Sequence, residues 1–559
     1  MKQSVLTSIL IVVLCTLLSV GAQAQGVVTI TYNGSTASVE IPDTVSGVFV
    51  TSGSSSNVVI FSTTTTKEYT YRLTGSSDDG SFSITGTYKL EVELDGLTLT
   101  NAHGGAAIDV QCGKNIDVKL TEGTVSTVSD SPNGTQKAAI YFKGHPEFKD
   151  GGTLNVTGLK SHAISAKEEM QLKPSLGTIN VLGAVKDGLH CGKDEKSADH
   201  NYFQMKGGTV NITNVGDDGI DTGDYGTIRI EGGHLSINVP DGATGLKADS
   251  IVSISGGTQT IAVRGTDAKG MRASYAVNIT GGETAIHVVG DGSKGIKAKC
   301  VADTVTNATV TNGGHVNISG GSVSITAIGG NYIDTAANDT VKCMAMSVDG
   351  NLLHTGGSVD LTAMGPEAKT YNVRGTESLL SATFVTRWLP WLFNVYDYQY
   401  DMTAYVVVSA NGQLLSDYST VAVAAFIGDA CVGYADFETP DYGILRIHSN
   451  DLAAQNVTFR LYNYTDGSVY ELTPAETVTF ANAASTATPA VPLVLSYTSF
   501  LKGDVNLDGQ VGIGDIVAIT NVMAGIETDA GVIARADVNE DNTVGIGDIV
   551  AITNIMAGK

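Results

Sequence analysis

Two stretches near the end of this sequence carry carboxylates at a spacing suited to holding a cation. The first runs Asp504-Val505-Asn506-Leu507-Asp508-Gly509-Gln510 and closes on Asp515. The second runs Asp537-Val538-Asn539-Glu540-Asp541-Asn542-Thr543 and closes on Asp548. Loop positions 1, 3, 5 and 12, with a backbone carbonyl at position 7, wrap one Ca²⁺. The ligand set is then Asp504, Asn506, Asp508, Gln510 and Asp515, and again Asp537, Asn539, Asp541, Thr543 and Asp548. Position 6 needs a left-handed turn, which Gly509 supplies and Asn542 tolerates. Residues 504–525 and 537–558 share 18 of 22 identities at a period of 33, so a chance Asp-rich turn is remote. Each loop leads into an apolar segment expected to be helical, Ile516–Met523 and Ile549–Met556.

A second set of chemical residues depends on a repeat. Between residues 100 and 350 a small residue precedes a larger apolar one at Ala107-Ile108, Ala139-Ile140, Ala163-Ile164, Gly188-Leu189, Gly219-Ile220, Gly245-Leu246, Gly270-Met271 and Gly295-Ile296. The steps are 32, 24, 25, 31, 26, 25 and 25 residues. Gly pairs before alternating strands recur in fixed phase at Gly207-Gly208, Gly232-Gly233, Gly256-Gly257 and Gly281-Gly282. Two markers in phase signal a solenoid. A period near 25 without a helical pattern predicts a right-handed parallel β-helix of two or three strands per coil. Longer steps place loops at 110–135 and 191–204, and residues 26–100 form the first coils and cap.

Stacked coils align equivalent positions about 4.8 Å apart. The residue before each small-apolar pair reads Ala106, Ala138, His162, Asp187, Asp218, Thr244, Lys269, Lys294, and the residue after it Asp109, Tyr141, Ser165, His190, Asp221, Lys247, Arg272, Lys297. Asp187, Asp218 and Asp221 should therefore meet, with Asp217 close by. Carboxylates so placed repel unless a cation lies between them, and hard oxygen ligands suit Ca²⁺. Beyond them Lys247, Lys269, Arg272, Lys294 and Lys297 form a basic ladder fit for a polyanionic sugar chain. The competing reading is a solvated face whose acids and bases pair with one another.

The segments Asp95-Gly96-Leu97-Thr98-Leu99-Thr100-Asn101, Lys186-Asp187-Gly188-Leu189, Gly216-Asp217-Asp218-Gly219-Ile220-Asp221 and Ser293-Lys294-Gly295-Ile296-Lys297 resemble the β-helical carbohydrate-binding domain-containing proteins of secreted bacterial polysaccharide systems, over about residues 60–300. The resemblance implies a pectate-lyase-like β-helix, bound calcium and an acidic polysaccharide such as polygalacturonate as partner. Residues 502–559 resemble a type I dockerin, which implies calcium-dependent folding and docking to a cohesin-like or cell-surface protein. Where that family often has Ser or Thr at loop positions 10 and 11, this chain has Ile513-Gly514 and Ile546-Gly547.

Catalysis is the alternative. Uronide β-elimination needs a cation to acidify the C5 proton and a nearby base, roles open to Asp187/Asp218 and to Lys247 or Lys269. A glycoside hydrolase would need two opposed acids, such as Asp218 and Asp221. A surface adhesin or structural rod without a sugar ligand is a third reading.

Composition limits the rest. The chain has 559 residues, a net charge of −24, 66 Gly and only 11 Pro. Such acidity argues against nucleic acid as the partner. Lys2, the apolar stretch Val5 to Val20 and Ala22-Gln23-Ala24 read as a signal peptide over residues 1–24, so a secreted, extracellular or cell-surface protein with no transmembrane segment is expected. The five later cysteines have no disulfide-like spacing and read as buried small residues. The β-helix is expected over 25–377. From 378 to 498 aromatics, among them Phe384, Trp388 and Trp391, and alternating strands replace the glycine period, which predicts an antiparallel β-sandwich. A small α-helical calcium module at 502–559 completes a mainly β protein.

Overall fold

The computed structural model describes residues 26–192, 201–240, 243–300, 313–437, 441–498 and 501–558. The expected signal peptide lies outside them. Among the described residues no helix is long and apolar enough to cross a membrane. The chain divides into two compact units, Met1–Leu392 and Phe393–Lys559.

The first unit is built from parallel ladders in which each strand pairs with its equivalent about one period later. One ladder runs through Ile108–Cys112, Ala138–Phe142, His162–Ala166, Leu189–Cys191, Ile220–Asp221, Thr244–Ala248, Lys269–Ala273, Lys294–Ala298, Met344–Val348 and Lys369–Val373. The other two strands of each coil form ladders of the same kind, for example Tyr202–Met205 on Thr227–Ile230 and Thr209–Thr213 on His234–Val239. The expected coil therefore has three strands. Strands cover much of the stretch expected as a loop over 110–135, at Asn115–Leu120 and Val125–Ser129. Those side chains alternate inward and outward, which the sequence reading missed because Lys and Thr dilute the pattern.

The apolar member of each pair points inward. Ile140, Ile164, Leu189, Ile220, Leu246, Met271, Ile296 and Met346 are in register along one ladder. None is more than 1% exposed. Full burial of such a side chain contributes about 1.5–3 kcal/mol. Its small partner is small for a steric reason. A Cβ on Gly219 would lie 2.6 Å from the Gly245 carbonyl oxygen in the next coil and 2.8 Å from Ile237 Cγ2. All five cysteines of the described chain are free and buried.

The ladders run past the expected boundary at 377. Phe384–Leu389 pairs in parallel with Val359–Met364, and Trp388 Nε1 donates to the Gly365 carbonyl at 2.9 Å. Trp388 and Phe384 therefore close the last coils instead of opening the sandwich. Aromatic density marked that border too early because a coil end also needs large side chains to cover its open core.

In the second unit, strands between Tyr400 and Tyr497 surround a separate core that includes Met402, Val406, Phe459 and Leu495. Most pairings are antiparallel, as expected, but Val406–Ala410 pairs in parallel with Leu493–Tyr497. Three helices follow: α1 (Ile513–Met523), α2 (Ala530–Ala536) and α3 (Ile546–Met556). α1 and α3 start one turn before the apolar segments. α2 was not expected; the Asp529 carboxylate caps it by accepting from the Gly531 and Val532 amides.

Replacing Ile220 by Ala should cost about 2–5 kcal/mol, because the rigid ladder cannot close the cavity. Chemical denaturation followed by tryptophan fluorescence and circular dichroism measures that loss.

Candidate functional site

The register brings the aligned residues together. His190 pairs with Asp221, Asp221 with Lys247, Lys247 with Arg272 and Arg272 with Lys297, each on the next rung of one ladder. Lys269 stands beside Lys294 in the same way. Asp187, Asp218 and Asp221 each bring a carboxylate oxygen within 4.8 Å of the others. Asp217 is exposed and lies outside that triplet. Among the described residues, three such triplets of acidic and imidazole groups occur, all in the coils.

Asp187 is 3% exposed. Its Oδ2 lies 2.9 Å from His190 Nδ1 and 3.0 Å from His162 Nδ1, and its Oδ1 accepts the Asp218 amide at 3.1 Å. The two imidazoles stack with centroids 4.4 Å apart. Burial alone would raise the Asp187 carboxyl, but the bonds to His162 and His190 outweigh it and hold the group well below the usual range. Burial pulls His162 down against the pull of Asp187.

Asp218 is 2% exposed. Its Oδ1 accepts the Thr244 amide at 2.9 Å and its Oδ2 takes Lys247 Nζ at 2.6 Å. Lys247 Nζ also lies 3.4 Å from Asp221 Oδ2. Burial, opposed by Lys247 and reinforced by Asp187 and Asp217, pushes the Asp218 carboxyl up to about 6. Burial disfavours the Lys247 ammonium, but Asp218 and Asp221 hold it firmly charged. Three carboxyl groups thus face one ammonium and two imidazoles.

The basic residues divide into three kinds. Lys247 is committed to the acids. Lys269 Nζ bonds the Asp267 carbonyl and carboxylate, both at 2.7 Å. Lys294 is 3% exposed and bonds the Gly292 carbonyl at 2.8 Å; burial, then the neighbouring Lys297, pulls it down to about 8. Arg272 and Lys297 stay partly exposed on the outer face of the ladder. Arg272 lines an open cleft with His190, Asp221, Asp224, Lys247 and Asp249.

A larger cleft, of about 440 Å³, opens on the other side of His190. Lys137, Lys160, Lys167 and Lys186 line it with Tyr141, and among the described residues no Asp or Glu lines it. The sequence reading missed it. The signal was one residue further back in the same alignment, where Lys137, Ser161 and Lys186 occupy successive rungs, followed by Asp217.

In the C-terminal loops the backbone turns tightly around the acidic side chains. Leu507, Gly509, Glu540 and Asn542 all have left-handed φ between 62° and 83°. Asp504 receives the Asp508 and Gly509 amides, and Asp537 those of Asp541 and Asn542. Asp515 is fully buried and accepts three backbone amides, from Val505, Asn506 and Gly512. Asp548 repeats this with Asn539 and Gly545. Asn506 and Asn539 each donate to the next acid, Asp508 and Asp541. Gln510 and Thr543 sit at position 7, where the backbone carbonyl is the donor. Arg535 Nε donates to the Val505 carbonyl at 3.2 Å and Lys502 pairs with Glu540, while the carboxylates gathered on loops of this winding are hard oxygen groups of the kind Ca²⁺ takes. On the outer faces of α1 and α3, Ile513 is 73% and Ile546 71% exposed, with Val517 and Val550 exposed behind them.

Residues 54–299 match the family model described as "Carbohydrate-binding domain-containing protein", which supports carbohydrate binding by the coils. No curated protein matches the sequence. A solved structure, the polysaccharide lyase-like protein from C. thermocellum in its gadolinium derivative, aligns over 64% of this chain and 99% of its own. It has 15% identity and a TM-score of 0.26.

Lys247→Ala should destabilise the fold by about 3 kcal/mol, since it strands the buried Asp218 charge. Asp218 already titrates above its unfolded value, so it binds its proton in the folded state first. Its contribution to stability is therefore present at low pH and lost as pH rises through about 6. Removing Lys247 moves that loss to higher pH, and the gap between variant and wild type should narrow from pH 8 to pH 5. Denaturation midpoints across that range test this; a gap independent of pH would contradict it.

Proposed function

We propose that this is a secreted, calcium-dependent carbohydrate-binding protein whose coils hold an acidic polysaccharide such as polygalacturonate and whose C-terminal module attaches it to a cohesin-like or cell-surface partner. The observation that carries the reading is the outward row Asp221, Lys247, Arg272 and Lys297 on consecutive rungs. Its acidic end gathers carboxylate oxygens of Asp187, Asp218 and Asp221 within 4.8 Å of one another, a set of hard oxygens suited to one divalent cation. Its basic end presents Arg272 and Lys297 at a spacing near that of successive sugars, about 4.8 Å. A bound Ca²⁺ would be held by Asp187, Asp218 and Asp221 and would bridge them to carboxylates of the glycan. The coils wind right-handed in this reading, as crossovers between parallel strands do in nearly all cases.

Binding is favoured over elimination or hydrolysis by the state of the candidate groups. A base must be free to take a proton. Lys247 is held charged by Asp218 and Asp221, and Lys269 is bonded to Asp267. Asp218 and Asp221 share one ammonium, so no sugar fits between them as between opposed acids.

The duplicated loops supply the second calcium element, with Asp504, Asn506, Asp508, Gln510 and Asp515 in one loop and their equivalents in the other. Ile513 and Ile546 then form a repeated apolar face for docking, in place of the hydroxyl pair of dockerin-like modules.

Calorimetric titration of the full chain with polygalacturonate should show binding with calcium and weakening by at least tenfold with chelator. Asp187→Ala/Asp218→Ala should weaken it similarly. No binding by the wild-type chain in calcium would refute the glycan reading. Separately, chelation should expose residues 501–558 to protease and calcium should restore protection, because metal binding and folding of such loops are linked. Asp515→Ala/Asp548→Ala should be cleaved under both conditions; a wild-type tail equally resistant with and without calcium would refute the calcium module.

A further inference from the structure

We infer that the lysine cleft beside Tyr141 is a second anion subsite, and that it and the Arg272–Lys297 end of the same ladder grip one polyanionic sugar chain across the acidic centre between them. This rests on the acidic-glycan reading and deepens it.

The cleft is chemically unlike its surroundings. The chain carries 57 acidic and 33 Lys or Arg residues. Yet among the described residues Lys137, Lys160 and Lys186 line this one surface together and no Asp or Glu does. Like charges gathered this way repel, and an anionic ligand relieves the repulsion. The lysines are held there by the coil backbone. The Lys137 carbonyl accepts the His162 amide at 3.1 Å, and the Ser161 carbonyl accepts the Lys186 amide at 3.0 Å, so the turns bearing Lys137, Lys160 and Lys186 lie on successive rungs. Asp130, fully buried beneath the cleft, ties two of these turns together. It accepts the Gln136 amide at 3.0 Å and the Leu159 backbone amide at 2.6 Å.

Shape identifies the class of ligand. Lys137 and Lys186 stand two rungs apart, about 10 Å at the usual strand spacing, which is wider than one phosphate or carboxylate. Tyr141 lines the same cleft with Lys137 Nζ 5.5 Å from its ring centroid, an amphipathic platform suited to a sugar ring. The ligand is thus an extended chain of rings with repeated anionic groups, either ring carboxylates or sulfates. Tyr141 and Lys297 occupy the same column six rungs apart, about 29 Å along the ladder. Asp187, Asp218 and Asp221 fall between the two basic ends.

Lys137, Lys160, Lys167 and Lys186 are all partly or fully exposed, so truncating two of them should not disturb folding. The test uses the full chain in calcium, with galacturonate oligomers of about four and about twelve sugars, shorter and longer than the roughly six rungs between the ends. A sulfated oligosaccharide and a neutral β-glucan oligomer of the longer length complete the set. The wild type should bind the longer galacturonate or sulfated oligomer more tightly than the shorter one, and whichever anion binds better identifies the charged group. Lys160→Ala/Lys186→Ala should weaken the longer oligomer about fivefold or more, the scale of two exposed ion contacts, and remove the advantage of length. Wild-type affinity of that variant for the longer oligomer, while Arg272→Ala/Lys297→Ala loses it, would overturn the second subsite and leave the first reading intact. Failure of the wild type to bind either anionic probe, or equal binding of the neutral glucan, would overturn both.

Discussion

Coil-to-coil register is the constraint on which the first unit depends. Parallel pairing places each side chain against its own counterpart in the next coil, about 4.8 Å away. For inward residues this repetition stabilises, because Ile164, Leu189 and Ile220 bury one another without seeking a complementary shape. For outward residues the same repetition forces like groups together. Asparagine meets that demand in the row Asn155, Asn180 and Asn211, whose amides bond one another at 2.8–2.9 Å. Opposite charge meets it where Lys149 reaches across from the next column to pair with Glu91 and Asp117. Asp187 and Asp218 are met in the same way by His162, His190 and Lys247, whereas Arg272 stands in register with a like charge, Lys297.

Most of that face was legible from spacing alone. The small-apolar markers set the phase, and the phase paired His190 with Asp221 and Arg272 with Lys297 before any coordinate was needed. Composition could not show where side chains end. Lys247, Lys269 and Lys294 read as one strip, but the first turns onto Asp218, the second onto Asp267, and the third is buried against Gly292. A long flexible side chain reaches whichever acid lies within a few ångströms, and that choice depends on turns outside the repeat. The lysine cleft escaped notice for a related reason: Lys137 and Lys186 lie one position outside the two columns that were aligned, and Lys160 lies one position further. The border near Leu392 was missed because the aromatic residues that cap a coil look, in sequence, like those that fill a sandwich.

The acidic centre and the C-terminal loops solve one electrostatic problem in different ways. In the loops, buried Asp515 and Asp548 are met by backbone amides. In the coils, Lys247 and two imidazoles already meet the carboxylates. Removing charge from water costs more the deeper it lies. That explains why Asp218, shielded on nearly all sides, is pushed up to about 6 although an ammonium sits on it. A divalent ion there would compete with Lys247 for the same oxygens, and binding would free that lysine toward the neighbouring Arg272.

The proposed anionic ligand looks at odds with a net charge of −24, yet the range of electrostatic forces removes the conflict. At physiological ionic strength charges are screened beyond about 8 Å. A sugar chain lying on the ladder therefore responds to the few groups within one or two rungs of it and hardly to the acids distributed over the rest of the surface. Net charge still acts on non-specific association, opposing every polyanion that cannot reach the two basic ends. In the proposed reading, local attraction on a repulsive background would select for a ligand long and regular enough to follow the rungs, and the excess of acidic residues would work as part of that selectivity.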